Sequence, residues 1–156
     1  MIMRKLLGHA PLLFLLAGLA GCASIEPYGN FLGADAPATL NEKLAADTVK
    51  QLTVLYPPAS TRFDLGQPTP DAYGSALVES LRIKGYAILE FEPDEAAPAG
   101  NSDTARPGLS LRYVLDAPAS TNLYRVTVMV GSQSLSRAYV AQNDTVAPAG
   151  AWVRKE

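Results

Sequence analysis

Apolar positions fall at helical spacing in two stretches of this chain and alternate with polar ones in several others. Leu44, Thr48, Val49, Leu52 and Leu55 recur at helical intervals, and Thr39-Leu40-Asn41-Glu42 has the spacing of a capping box. In that box a hydroxyl and an acid three residues on each satisfy a free backbone donor. The pattern predicts a helix from Thr39 that stops before Pro57 and Pro58. A second helix follows from the stripe Tyr73, Ala76, Leu77, Ser80 and Leu81, with Thr69 as cap, Pro70 at the first helical position and Gly85 as the stop. Asp71 suits the positive end of that helix.

The alternating stretches predict strands. Residues 61–65 place Phe63 and Leu65 on one face, and "YAILEF", residues 86–91, reads as the next strand. Residues 109–116 carry Leu109, Leu111, Tyr113 and Leu115 on one side; residues 122–130 and 133–141 are two further strands. "VGSQ", residues 130–133, has the two-residue, glycine-first turn of a hairpin. Residues 143–150 read as loop and 151–154 as a short last strand. Helix, strand, helix, strand and then a hairpin-rich run predict an α+β fold: two helices packed on a mostly antiparallel sheet.

Residues 92–108, "EPDEAAPAGNSDTARPG", are acidic, small and proline-rich, which predicts a long mobile loop. Residues 23–38 contain Pro27, Gly29, Gly33 and Pro37 and read as a tether, spanning on the order of 20 Å as a flexible coil. Tyr28, Phe31 and Leu32 are apolar for a free linker. Two readings stand: they lie on the domain or a membrane face, or they form a short partner-binding segment.

The N-terminus has another character. Arg4 and Lys5 precede an apolar run, residues 6–19, interrupted by Gly8, His9, Pro11 and Gly18. A bilayer-crossing helix needs about 20 apolar residues, and this run is shorter and holds a proline. A positive start, a short apolar centre and small residues at the end build a secretory signal peptide. Leu19-Ala20-Gly21-Cys22 resembles a lipobox, the cleavage and lipidation signal of bacterial lipoproteins. That resemblance implies cleavage before Cys22, a diacylglycerol on its thiol and a further acyl chain on the freed amine. One acyl chain holds only marginally at about 0.8 kcal/mol per buried methylene, whereas two or three anchor stably. Ala23, where an aspartate would retain such a protein at the inner membrane, implies export to the outer membrane. The expected organisation is a signal peptide over residues 1–21, a lipidated cysteine and tether over 22–38, and a periplasmic domain over 39–156.

Charge and residue usage narrow the chemistry. The formal net charge of −2 falls by two more, to −4, when Arg4 and Lys5 leave. That balance argues against a nucleic-acid partner, which calls for a basic patch. His9 is the one histidine and Cys22 the one cysteine, so the exported chain has no histidine and no pair of thiols. Nucleophilic catalysis commonly pairs Ser or Cys with histidine, and zinc sites favour Cys and His; neither set is present. Ser75, in "AYGSALVE", lacks the second glycine of a nucleophile elbow. There is no phosphate-binding Gly-Lys-Ser/Thr loop.

Carboxylates remain: Glu90, Glu92, Asp94 and Glu95 cluster at a strand end, either as a solvated acidic loop or as an acid–base pair. Arg62, Arg82, Arg112, Arg125 and Arg137 read as solvated faces of sheet and helix, any of which could meet a peptidoglycan carboxylate. Tyr86, Phe91, Tyr113, Tyr124 and Tyr139 read as core or sheet-pair residues; Trp152 either covers the sheet or anchors another subunit. No catalytic residue, metal ligand or cofactor is expected, and the chain is not expected to be an enzyme.

"LYPPASTRFDLGQPTPDAYGSALVESLRIKGYAI", residues 55–88, and "LSRAYVAQNDTVAPAGAWVRKE", residues 135–156, resemble the TrbH family of conjugal transfer lipoproteins. The resemblance implies a part of a conjugative type IV secretion system, the envelope-spanning machine that moves plasmid DNA between cells. It implies partners among the other subunits of that envelope complex, with the membrane reached through the lipid. Small lipoproteins in such machines pin the core complex to the inner leaflet of the outer membrane. Cys22 is the only functional position that carries over. The alternative reading is a periplasmic binding lipoprotein that holds peptidoglycan or a small ligand.

Overall fold

The computed structural model describes residues 28–32, 36, 38–93, 108–142 and 145–156. Residues 1–21, expected as a signal peptide, lie outside the described residues, as do Cys22 and residues 94–107 of the expected loop, Asp94 and Glu95 among them. The fold is α+β: two helices and an eight-stranded, mostly antiparallel sheet. In chain order the elements are β1 (Gly29–Asn30), α1 (Ala38–Leu55), β2 (Arg62–Leu65), α2 (Ala72–Ile83), β3 (Ala87–Leu89), β4 (Leu109–Asp116), β5 (Leu123–Val130), β6 (Gln133–Gln142), β7 (Thr145–Pro148) and β8 (Val153–Lys155).

The central ladder is β4-β5-β6, antiparallel throughout, with Tyr113 opposite Val128 and Val128 opposite Leu135. β2 and β3 add in parallel at one side, as a strand–helix–strand unit around α2 requires. Each outer edge of the ladder is shared by two short strands. β2 pairs with Leu109–Leu111 of β4 and β1 with Val114–Leu115. Between them Gly66 N donates to Leu111 O at 2.9 Å, and the Gln67 side chain accepts from Tyr113 N at 2.9 Å. One glutamine amide thus fills in for missing strand. On the far side β8 takes Ser134–Ser136 of β6 and β7 takes Tyr139–Gln142.

Burial follows the alternation in the sequence. Leu111, Tyr113 and Leu115 of β4, Val126, Val128 and Val130 of β5, and Leu135 and Tyr139 of β6 face one core. Leu40, Leu44, Val49 and Leu52 of α1, and Tyr73, Leu77 and Leu81 of α2, close it from the helix side. Thr127 and Ser136 pair on the other sheet face through their hydroxyls at 3.0 Å. That face mixes polar side chains with apolar ones such as Val114, Met129 and Val153 and is partly solvated, as expected for an antiparallel sheet covered on one side.

Several details depart from the expectations. Residues 28–32 join the sheet rather than running free: Phe31 N donates to Leu115 O at 2.7 Å, and Leu32 packs against the core while Phe31 stays half exposed. α2 is capped by Asp71, not Thr69; the Asp71 carboxylate accepts from Gly74 N at 2.9 Å. Gly85 does end α2, at φ +87°. Gly85 N bonds to Arg82 O at 2.9 Å and Tyr86 N to Leu81 O at 3.1 Å, the paired bonds of a Schellman motif with Leu81 and Tyr86 both buried. β3 spans only Ala87–Leu89, so Glu90 and Phe91 lie beyond it. Residues 143–150, expected as loop, contain β7, and the last strand is Val153–Lys155. The hairpin at Gly131, φ +59°, is as the sequence predicts.

Candidate functional site

Glu90 forms an ion pair with Arg82 of α2 on an exposed surface, and Glu92 is exposed. Among the described residues no group of His, Cys, Asp or Glu is arranged to hold a metal. Ser75 lies exposed on α2 and its hydroxyl donates to Thr69 O at 3.3 Å. No helix of the described residues is long and apolar enough to cross a membrane.

Each of the five arginines singled out by sequence is engaged within the chain. Arg62 binds Asp64, Arg82 binds Glu90, Arg125 binds Asp116 across the β4-β5 ladder, and Arg137 binds Asp47 at 2.8 Å. Arg112 donates to Gly66 O at 3.2 Å and lies 5.0 Å from the centre of the Tyr28 ring. Tyr28 therefore folds back onto the domain it precedes.

The buried polar groups form two clamps that hold helix to sheet. In the first, Asp47 of α1 accepts from the Tyr139 hydroxyl at 2.6 Å and from Arg137 at 2.8 Å, both on the helix-facing side of β6. Arg137 also reaches Gly150 O at 2.8 Å. In the second, the Tyr113 hydroxyl donates to the Asp71 carboxylate that caps α2. Between them the Tyr73 hydroxyl meets Thr48 at 3.0 Å, and the Tyr73 and Tyr113 rings pack edge to face. Burial pushes the hydroxyls of Tyr73, Tyr113 and Tyr139 well above the usual tyrosine range, and for the last two the neighbouring aspartate adds to it. These are structural clamps: every hydroxyl is satisfied and enclosed. Sequence reasoning placed the tyrosines in the core but missed Asp47 and Asp71 as their partners. An acid beside Thr48 inside an apolar stripe was the available signal. Trp152 packs against the core, so it covers the sheet.

A concavity lies on the side of the helices away from the sheet. A groove of about 600 Å³ runs between α1 and α2. Ala46, Val49, Thr53 and Val54 form one wall, Ser80 and Ile83 the other, and Lys50 and Lys84 stand beside it. Val54 and Ile83 are 73% and 76% exposed.

Comparison with known families matches residues 25–156 to the family described as conjugal transfer protein TrbH. No curated protein and no solved structure matches the chain. The match takes in every strand and both helices described above, so it is the folded domain itself that carries the likeness. The chain belongs to the TrbH family of conjugal transfer proteins.

Proposed function

We propose that this protein is a structural subunit of a conjugative type IV secretion apparatus, fixed to the outer membrane by acyl chains on Cys22 and acting through protein contacts of its periplasmic domain. The observation that carries the reading is the family match over residues 25–156, which begins just past the lipobox at residues 19–22. The internal commitment of the arginines and the enclosure of the tyrosines support a scaffold role. Anchoring would work by local concentration: a domain held at one surface meets its partners as if intramolecularly and gains apparent affinity without new contacts.

Cys22→Ala tests it. The variant is expected to leave the membrane fraction and to lower plasmid transfer; undiminished transfer by a fully released variant would refute the anchoring role. A lipoprotein that grips peptidoglycan would draw on arginines that are already paired. Retention of the purified chain on sacculi, without other subunits, is expected to be absent.

A further inference from the structure

We infer that the groove between α1 and α2 receives an amphipathic helix with acidic flanks, carried by another subunit of the transfer apparatus. The inference rests on the proposed role only for where that partner is sought; the geometry is independent of it. Ala46, Val49, Thr53 and Val54 are spaced as one face of α1, and Ser80 and Ile83 supply the facing wall from α2. Two neighbouring helices leave between them a trough suited to the 10–12 Å girth of a third, the arrangement used when an amphipathic helix lies in an apolar groove.

The core beneath is already closed, with Val49 1% exposed, yet Val54 and Ile83 stand in water above it. Thr53 donates its hydroxyl to Val49 O at 2.8 Å, so its one hydroxyl hydrogen is committed within α1. Lys50 and Lys84 form no ion pair among the described residues, whereas five arginines do. No acid lines the groove, although the whole chain is net negative at −2. An apolar trough flanked by two free ammonium groups complements apolar residues at every third or fourth position with Asp or Glu beside them. A second copy of this chain fits poorly, since opposed grooves would bring four ammonium groups together. A bilayer surface fits poorly as well, because only Val54 and Ile83 stand out as large apolar side chains there, whereas an interfacial site buries a broad apolar face.

The test uses the full chain in conjugating cells. A photo-crosslinking amino acid replaces Val54 or Ile83, with Val153 on the far side of the sheet as control, and the crosslinked peptide is sequenced. The expected product joins Val54 or Ile83, and not Val153, to a helical segment of another transfer protein whose acids flank apolar positions. Lys50→Glu with Lys84→Glu is expected to lower the yield about tenfold or more, with the fold intact by circular dichroism. Lysine at the mapped acids then restores it. A crosslink to a second copy, to lipid or to a segment without acids, or no crosslink, would overturn the inference. So would a yield indifferent to the charge reversal, or groove-dependent binding of the purified Cys22→Ala chain to phosphatidylglycerol vesicles. Membrane retention reads the anchor and the crosslink reads the groove, so either reading can fail alone.

Discussion

Asp47 fastens α1 to β6, and its removal has a calculable effect. In Asp47→Ala the Tyr139 hydroxyl, on a residue only 2% exposed, loses its acceptor. Arg137, with 19% of its side chain exposed, keeps Gly150 O but loses its carboxylate. Hydrogen bonds to a charged group contribute about 1.5–3 kcal/mol, and a buried donor left unpaired costs about 1–3 kcal/mol. The expected loss is about 3 kcal/mol. Tyr139→Phe removes the donor and leaves Asp47 with Arg137, for a loss of about 2 kcal/mol. The pair should therefore couple by about 1.5–2 kcal/mol in a double-mutant cycle.

Urea unfolding followed by the fluorescence of Trp152, the one tryptophan and packed on the core, provides the assay. With a slope of about 1.5 kcal/mol per molar urea, Asp47→Ala lowers the midpoint by about 2 M. A coupling below about 0.5 kcal/mol, the level of sites that do not touch, would refute the clamp.

Four other outcomes follow from the same packing. Tyr73, Tyr113 and Tyr139 keep their protons in the folded state, whereas the unfolded chain releases them near pH 10. Stability is therefore full below about pH 10 and falls as pH rises, by about 4 kcal/mol at pH 11 for the three; tyrosinate absorbance should rise together with loss of circular dichroism, and free titration in a folded domain would contradict this. Gly74→Ala places a Cβ 2.1 Å from the Tyr113 hydroxyl oxygen and 3.0 Å from its ring; about 1–3 kcal/mol should be lost in thermal unfolding, and unchanged stability would mean α2 is free to move off β4. Leu77→Ala empties a fully buried site and should cost about 3–5 kcal/mol by urea unfolding. Gly85→Ala forces a side chain into φ +87° and should cost about 1–2 kcal/mol by the same assay, with no loss if the motif is not maintained in solution.

The legible parts of the fold are those where a local period and a local stop coincide. α1 carries its own apolar spacing and ends ahead of Pro57; the β5-β6 hairpin has alternating strands around Gly131. Both can be read without knowing the rest of the chain. β1 and β7 are different. Gly29–Asn30 and Thr145–Pro148 are too short to show alternation, and they are strands only because β4 and β6 offer open edges there. Pro148, which cannot donate to a ladder, comes last in its strand. The cap of α2 was misplaced for a similar reason: Thr69 and Asp71 both suit the position, and the hydroxyl of Tyr113, distant in sequence, engages Asp71. The groove could not be read at all. Val54 and Ile83 are single exposed apolar residues in their own helices, and only the packing of α1 on α2 sets them across from each other. The lipobox proposed at residues 19–22, by contrast, is a four-residue motif and needs no fold to be legible.

We propose that this domain works as a subunit held to the membrane through Cys22. Mass spectrometry of the N-terminal peptide, purified from envelopes of conjugating cells, tests this at the residue concerned. The expected chain starts at Cys22 with diacylglycerol on sulfur and an acyl group on nitrogen. An unmodified cysteine, or a chain that still carries residues 1–21, would contradict it.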